Sequence, residues 1–145
     1  TQTATLSAAN APAEALRNGI DRPVGDQDNG WSAPCGESVE YRFDAPRVLA
    51  EARLVFDSNL CRPGQNMRHA YALNSEPWAV PETLVRAFRL EAQNAAGAWS
   101  TVHRETNTYQ RLVRVPLKVS AQALRLVPEA TWGAPEAHVF AFDVS

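Results

Sequence analysis

Apolar and polar residues alternate in several short runs of this chain, and this alternation limits the folds that it can adopt. Val39, Tyr41 and Phe43 alternate with polar side chains, and a period of two places such apolar side chains on one face of a β-strand. Similar runs recur along the chain, separated by turn residues. The pattern predicts strands over residues 38–44, 50–57, 84–92, 98–103, 111–117, 123–127 and 137–144.

Helical patterning is almost absent. Residues 8–16 form the one short candidate, and Pro12 interrupts it. Short strands with turn signals between them are typical of an all-β sandwich, although the periodicity also fits a β-barrel. A length of 145 residues predicts a single domain that spans residues 1–145.

Composition narrows the range of partners. The hydrophobic fraction is 45% and the net charge is −2, which argues against a disordered chain. No basic block is present, so nucleic acid is not an expected partner. No apolar run approaches the roughly 20 residues that a membrane helix needs. The chain begins at Thr1 and not at Met, which suggests a mature or excised fragment.

Two long connections, residues 17–36 and 58–81, carry Asp, Asn, Arg and aromatic side chains. Long loops in compact domains usually carry function. The first loop is acidic, with Asp21, Asp26 and Asp28 close together. Calcium binds six to eight oxygens, which loops of this composition can supply, whereas the alternative is a solvated turn whose carboxylates bond their own backbone.

The order of several motifs resembles the discoidin-like family, which includes the coagulation-factor C-type domains and many bacterial carbohydrate-binding modules. The motifs are N-G at 18–19, W-S at 31–32, S-V-E-Y-R-F-D-A-P at 38–46, A-R-L-V-F at 52–56, A-L-R-L-V at 123–127 and P-E-A-H-V-F-A-F-D-V at 135–144. The resemblance implies a jelly-roll β-sandwich of two antiparallel sheets. P-E-T-L-V-R-A-F-R-L-E at 81–91 and T-Y-Q-R-L at 108–112 look closest to the C-terminal module of bacterial FAD-dependent oxidoreductase-type and polysaccharide-active proteins.

The resemblance also implies a structural calcium ion. In the family, a loop carboxylate and a glutamate at the start of the last strand hold the ion, and Asp21 and Glu136 match these positions. The expected ligands are therefore Asn18, Asp21, Asp26 and Glu136.

Aromatic side chains in the predicted loops suggest a sugar site. The C–H face of a sugar stacks on Trp or Tyr, while its hydroxyls need polar partners. The candidate ligand-binding residues are Asp57, Asn59, Arg62, Trp78, Tyr109, Arg111 and Trp132. The alternative for each aromatic is packing in the core, to which we assign Trp31 and Trp99. An arginine that pairs with a carboxylate would suit an acidic sugar.

Catalytic patterns are missing from the sequence. Asp44, Asp57, His103 and Glu105 form no recognisable acid–base motif, and no H-E-x-x-H or nucleophile elbow is present. Cys35 and Cys61 could be two free thiols or a single bridge. The sequence therefore predicts a protein that is not an enzyme.

The expected function is that of a non-catalytic carbohydrate-binding module in an exported bacterial multidomain protein, either secreted or held at the cell surface or in the periplasm. Its partners would be a glycan and the parent catalytic domain in the same chain. The alternative is a structural domain that docks onto its parent catalytic domain and binds no glycan.

Overall fold

The computed structural model describes residues 3–9, 12–59 and 79–145. Its strands, all paired in antiparallel fashion, are β1 (Thr5–Ala8), β2 (Trp31–Pro34), β3 (Val39–Phe56), β4 (Val85–Gln93), β5 (Trp99–Glu105), β6 (Leu112–Thr131) and β7 (Glu136–Val144). One 3₁₀ turn covers Glu14–Arg17. Within the described ranges, no helix is long and apolar enough to cross a membrane.

Strands β3 and β6 form the spine of the fold. They pair along most of their length, from Val39 opposite Leu126 to Val55 opposite Leu112. Register shifts occur between residues 42 and 47 and between residues 49 and 51 of β3. The first part of β3 also pairs with β1, and the last part pairs with β7. Because such irregularities let a strand bend, the spine contributes to two layers.

The first layer contains β1, residues 39–43 of β3, residues 121–131 of β6, β4 and β5. The second contains β2, β7, residues 51–56 of β3 and residues 112–117 of β6.

The core lies between these layers. Tyr41 of the first layer packs against Phe142 of the second at a ring separation of 5.1 Å, and its hydroxyl donates to the Phe142 carbonyl at 2.8 Å. Phe56 and Phe88 meet across the same interface at 5.3 Å. All four side chains are fully buried. Burial of each such aromatic contributes about 1.5–3 kcal/mol, so this interface stabilises the sandwich.

The predicted all-β jelly-roll sandwich is confirmed. The runs at 38–44 and 50–57 are halves of β3, and those at 111–117 and 123–127 are halves of β6. The helix expected over residues 8–16 is reduced to the 3₁₀ turn at its end. Trp31 is buried as predicted, but the assignment of Trp99 to the core is wrong. Its ring lies partly exposed on β5, with the Arg125 guanidinium 4.1 Å from its centre.

Several connections converge at one end of the sandwich, which we call the loop end. There β3 ends, β4 begins and β5 ends, while β6 and β7 both begin. The Thr108 amide donates to the Arg86 carbonyl at 2.9 Å, and the Trp132 amide donates to the Leu84 carbonyl at 3.0 Å. These bonds fix the 105–111 and 131–135 connections against the start of β4.

Candidate functional site

A small polar cleft opens at the loop end. Its volume is about 140 Å³. The 17–30 loop supplies one wall, the residues just after β3 another, and β7 the base. The lining residues are Pro23, Asp28, Asp57, Asn59, Arg111, His138 and Phe140.

His138 joins two of these walls. Its Nδ1 lies 3.0 Å from an Asp57 carboxylate oxygen, and its Nε2 lies 3.1 Å from a carboxylate oxygen of Asp28. A neutral imidazole has only one N–H, whereas the imidazolium can donate to both carboxylates. Burial opposes the charge, but the Asp57 hydrogen bond and the negative charge of Asp28 outweigh it and raise the pKa of His138 above 6.5.

Asp57 is held in its ionised form by its neighbours. Burial opposes ionisation, but hydrogen bonds from His138 and from the Asn59 amide lower the pKa of the Asp57 carboxyl below its usual 3.8. The Asn59 amide donates to Asp57 Oδ1 at 2.7 Å. Asp57 is therefore a fixed acceptor in the cleft.

The backbone around the cleft adopts uncommon conformations. Asn29 has φ 59° and Asn59 has φ 54°, in the left-handed region that Asn tolerates better than most residues. A Cβ added at Gly30 would lie 2.2 Å from His138 Nε2. Only glycine lets the loop approach the imidazole so closely. Such strained positions cluster at functional sites.

An aromatic platform lies at the same end. Tyr109 is 60% exposed and stacks on Trp132 with a ring separation of 5.1 Å. The Asn107 side-chain amide donates to the Tyr109 hydroxyl at 2.8 Å, and Trp132 Nε1 donates to the Thr108 carbonyl at 3.0 Å. The guanidinium of Arg86 lies 5.7 Å from the Trp132 ring centre. The exposed ring is thus held in one orientation.

Arg111 forms part of the cleft wall. Its Nη2 donates to the Asp21 carbonyl, and its guanidinium lies 5.9 Å from the Phe140 ring centre. Its Nε is buried, and no hydrogen-bond partner exists for it among the described residues.

The residues expected to bind calcium do not form one ligand group. The Asp21 carboxylate is paired with Arg53, which also binds Asp143 at 2.8 Å. The Asn18 side chain accepts from the Ile20 amide at 2.7 Å and donates to Asn29. In the part of the chain that the structure describes, no three His, Cys, Asp or Glu side chains are arranged to hold a metal ion. This arrangement does not fit the expected site, and calcium binding stays a prediction.

The similarity to known proteins is found in the three-dimensional structure. No protein-family model and no curated protein matches the sequence. The family 32 carbohydrate-binding module from Streptococcus pneumoniae EndoD is similar over 99% of this chain and 97% of its own, at 15% identity and a TM-score of 0.68.

Two further solved structures of family 32 modules are similar to this chain. The family 32 module from C. perfringens NanJ, in complex with galactose, has 13% identity, a TM-score of 0.66 and coverage of 99% and 93%. The module of AlyQ in complex with 4,5-unsaturated mannuronic acid has 9% identity, a TM-score of 0.65 and coverage of 97% and 93%.

The chain has the fold of the family 32 carbohydrate-binding modules. The discoidin-like resemblance is confirmed at this level, whereas the narrower likeness to oxidoreductase-type proteins stays a prediction. In this family 32 fold, the polar cleft and the aromatic platform both lie at the loop end.

The structure brings together part of the predicted ligand set. Asp57, Asn59 and Arg111 line the polar cleft, and Tyr109 and Trp132 form the aromatic platform. Arg62, Trp78 and Cys61 lie outside the described residues. His138 was missed because its role depends on two loops that are distant in sequence. Its one local signal is a titratable side chain between the buried residues Ala137 and Val139.

Proposed function

We propose that this family 32 fold is a non-catalytic module that binds a glycan at its loop end. The observation that carries the proposal is the exposed Tyr109 ring, held flat against Trp132 and anchored by Asn107. Such a ring offers an apolar surface to the C–H face of a sugar. Tyr109 is only two positions before Arg111, which lines the polar cleft.

The polar cleft supplies hydrogen-bonding groups for the hydroxyls of the sugar. Sugar hydroxyls both donate and accept hydrogen bonds, and the cleft offers the Asp57 carboxylate, the side-chain amide of Asn59 and the Arg111 guanidinium. Similar folds carry galactose and an unsaturated mannuronic acid in their solved complexes. Both observations support a carbohydrate ligand for this chain.

We also propose that the module belongs to an exported bacterial protein, as an accessory to a catalytic domain. The support is that similar modules come from proteins of Streptococcus pneumoniae and C. perfringens. A loop-end site leaves the broad faces of the sandwich available to other domains. The sequence of the full-length gene tests this, since a signal peptide and an adjacent catalytic domain are expected.

The binding proposal predicts a specific response to changes at Tyr109. A glycan array followed by calorimetry should give a dissociation constant between micromolar and millimolar, because a shallow site leaves little free energy after ordering costs. Tyr109→Ala should weaken binding by about 1–3 kcal/mol, in line with the energy of aromatic stacking on flat ligands.

Tyr109→Phe is the matched control, because it keeps the ring and removes only the hydroxyl that Asn107 contacts. It should retain most of the affinity. An array that shows no binding to neutral, acidic or sulfated glycans would contradict the proposal. It would favour the docking alternative, in which the domain packs on its parent without a ligand.

A further inference from the structure

A second pocket lies beside the polar cleft, on the far side of Arg111. It has a volume of about 380 Å³ and is open to solvent on one side. Its walls are Gly19, Ile20, Asp21, Arg22, Val24 and Arg111, and we call it the arginine pocket. It includes none of the residues that line the polar cleft except Arg111.

Two of its walls are apolar and exposed. Ile20 is 38% exposed and Val24 is 48% exposed. Both lie in the 17–30 loop, which is otherwise rich in Asp, Asn, Gly and Arg. Exposed aliphatic side chains around a concavity favour a ligand with an apolar portion.

In the arginine pocket, the carboxylate has an ion-pair partner, whereas the two arginines have no such partner among the described residues. The Asp21 carboxylate is already bound by Arg53 and so does not neutralise the pocket's own cations. Neither Arg22 nor Arg111 has a carboxylate within ion-pair distance over residues 3–9, 12–59 and 79–145. The Arg111 Nε is buried without a described partner. Two cations therefore line a concavity with aliphatic walls.

The two carboxylates that line the polar cleft together with Arg111 are engaged elsewhere. Asp57 and Asp28 both contact His138. The Arg111 charge contributes to the low pKa of Asp57 only as a through-space effect, and a smaller one than the His138 hydrogen bond. Among the described residues, the exposed Arg22 therefore has no ion-pair partner, and Arg111 has no partner besides the Asp21 carbonyl and the Phe140 ring.

We propose that the arginine pocket binds the anionic group of an acidic sugar, a carboxylate or a sulfate. This inference rests on the proposed function and narrows its ligand class. A planar guanidinium forms two parallel hydrogen bonds with such a group. The exposed Arg22 offers that geometry, and Arg111 adds a second positive charge to the same wall. The C–H groups of the same sugar ring would contact Ile20 and Val24.

The test compares matched acidic and neutral oligosaccharides by calorimetry. The probes are trigalacturonate, the neutral galactose trisaccharide and a sulfated galactose trisaccharide. The intact chain should bind at least one acidic probe about tenfold more tightly than the neutral one, which corresponds to about 1.4 kcal/mol. The acidic probe with the lower dissociation constant identifies the group as carboxylate or sulfate. This preference should decrease with added salt, because exposed charges are screened.

Arg22→Gln should abolish most of that preference and leave the affinity for the neutral probe unchanged. Arg47→Gln is the control, because Arg47 is an exposed arginine of β3 that contacts Thr3, away from the loop end. Equal affinities for acidic and neutral probes, or equal effects of the two variants, would overturn the inference while leaving glycan binding intact. If the unmodified chain binds neither the acidic probes, nor the neutral probe, nor any glycan of the array, both this inference and the proposed glycan binding are overturned.

Discussion

Tyr41 shows how one polar atom is accommodated in an otherwise apolar core. Its ring is completely buried, and its hydroxyl reaches across the sandwich to the carbonyl of Phe142 at 2.8 Å. Burial is also the main reason why the pKa of Tyr41 is raised above its usual value of 10. The hydroxyl therefore stays neutral and donates a hydrogen bond that connects the two layers.

Removal of that hydroxyl should destabilise the protein. Tyr41→Phe leaves the carbonyl lone pair that the hydroxyl occupied without its donor, and a buried unsatisfied group costs about 1–3 kcal/mol. Urea unfolding should show the loss as a lower midpoint with an unchanged slope. Tyr109→Phe, which removes an exposed hydroxyl, should lie within about 0.5 kcal/mol of the unmodified chain. Equal effects of the two variants would contradict this reading of the Tyr41 bond.

Individual site residues could be predicted from sequence where their side-chain type alone suggests a role. Asp57 and Asn59 lie at the end of a predicted strand, and Tyr109 lies in a predicted loop, so each was identified as a candidate. His138 could not be identified, because its importance comes from Asp28 and Asp57, which only the tertiary structure places beside it. The pairing of Asp21 with Arg53 was missed for the same reason.

The 17–30 loop and β7 are linked through His138, so their contact depends on pH. The His138 pKa is raised in the folded protein. A raised histidine pKa adds stability that is fully present below the unfolded value, near 6.5, and is lost as pH rises through the folded value. The lowered pKa of Asp57 adds stability in neutral and mildly acidic solution. This stability is lost as pH falls below about 3.8.

Thermal stability should therefore decline as pH rises above about 6.5. His138→Gln should remove this part of the pH dependence, and His103→Gln should leave it in place. NMR titration of the imidazole protons should place the His138 pKa above that of a model peptide. A pH profile that is unchanged in His138→Gln would contradict the proposed contact.

In Gly30→Ala, the added Cβ displaces the His138 ring, so the His138 pKa should move back towards its usual value.

At the level of elements, the sequence predicted strands better than their connections. Alternation identified both parts of β3, but residues 45–47 looked like a break, because Pro46 cannot donate a ladder hydrogen bond. In the structure the strand continues through this point with a register shift. β1 and β2 have only four residues each, too few to establish a period. Their pairing partners decide that they are strands.

Arg53 adds an ion-pair link between the 17–30 loop and the sandwich, beside the bonds from Arg111 and His138. Arg53 on β3 binds Asp21 of the 17–30 loop and Asp143 of β7. Arg53→Gln should remove both of these ion pairs, while the Arg111 bond to the Asp21 carbonyl and the His138 contact with Asp28 remain. Because the pairs are partly exposed, a loss of about 1 kcal/mol is expected, which lowers the melting temperature by roughly 2–4 °C. An unchanged melting temperature would show that the loop is held by other contacts.

The same melting experiment tests the calcium prediction. If an ion bridges the 17–30 loop and Glu136, addition of EDTA should lower the melting temperature, because a ligand bound only to the folded state stabilises it. Glu136→Ala should abolish that response. A melting curve that EDTA leaves unchanged would contradict the prediction.

The pairing of β3 with β6 has a consequence for how quickly the sandwich forms. Val39 meets Leu126 and Val55 meets Leu112, so the spine joins segments from opposite halves of the chain. Contacts between residues distant in sequence require costly loop closure before any pairing energy is gained. Folding should therefore be slow for a domain of this size, in the range of milliseconds to seconds that is usual for all-β sandwiches. During synthesis, the edge of β3 that pairs with β6 stays unpaired until β6 has been made.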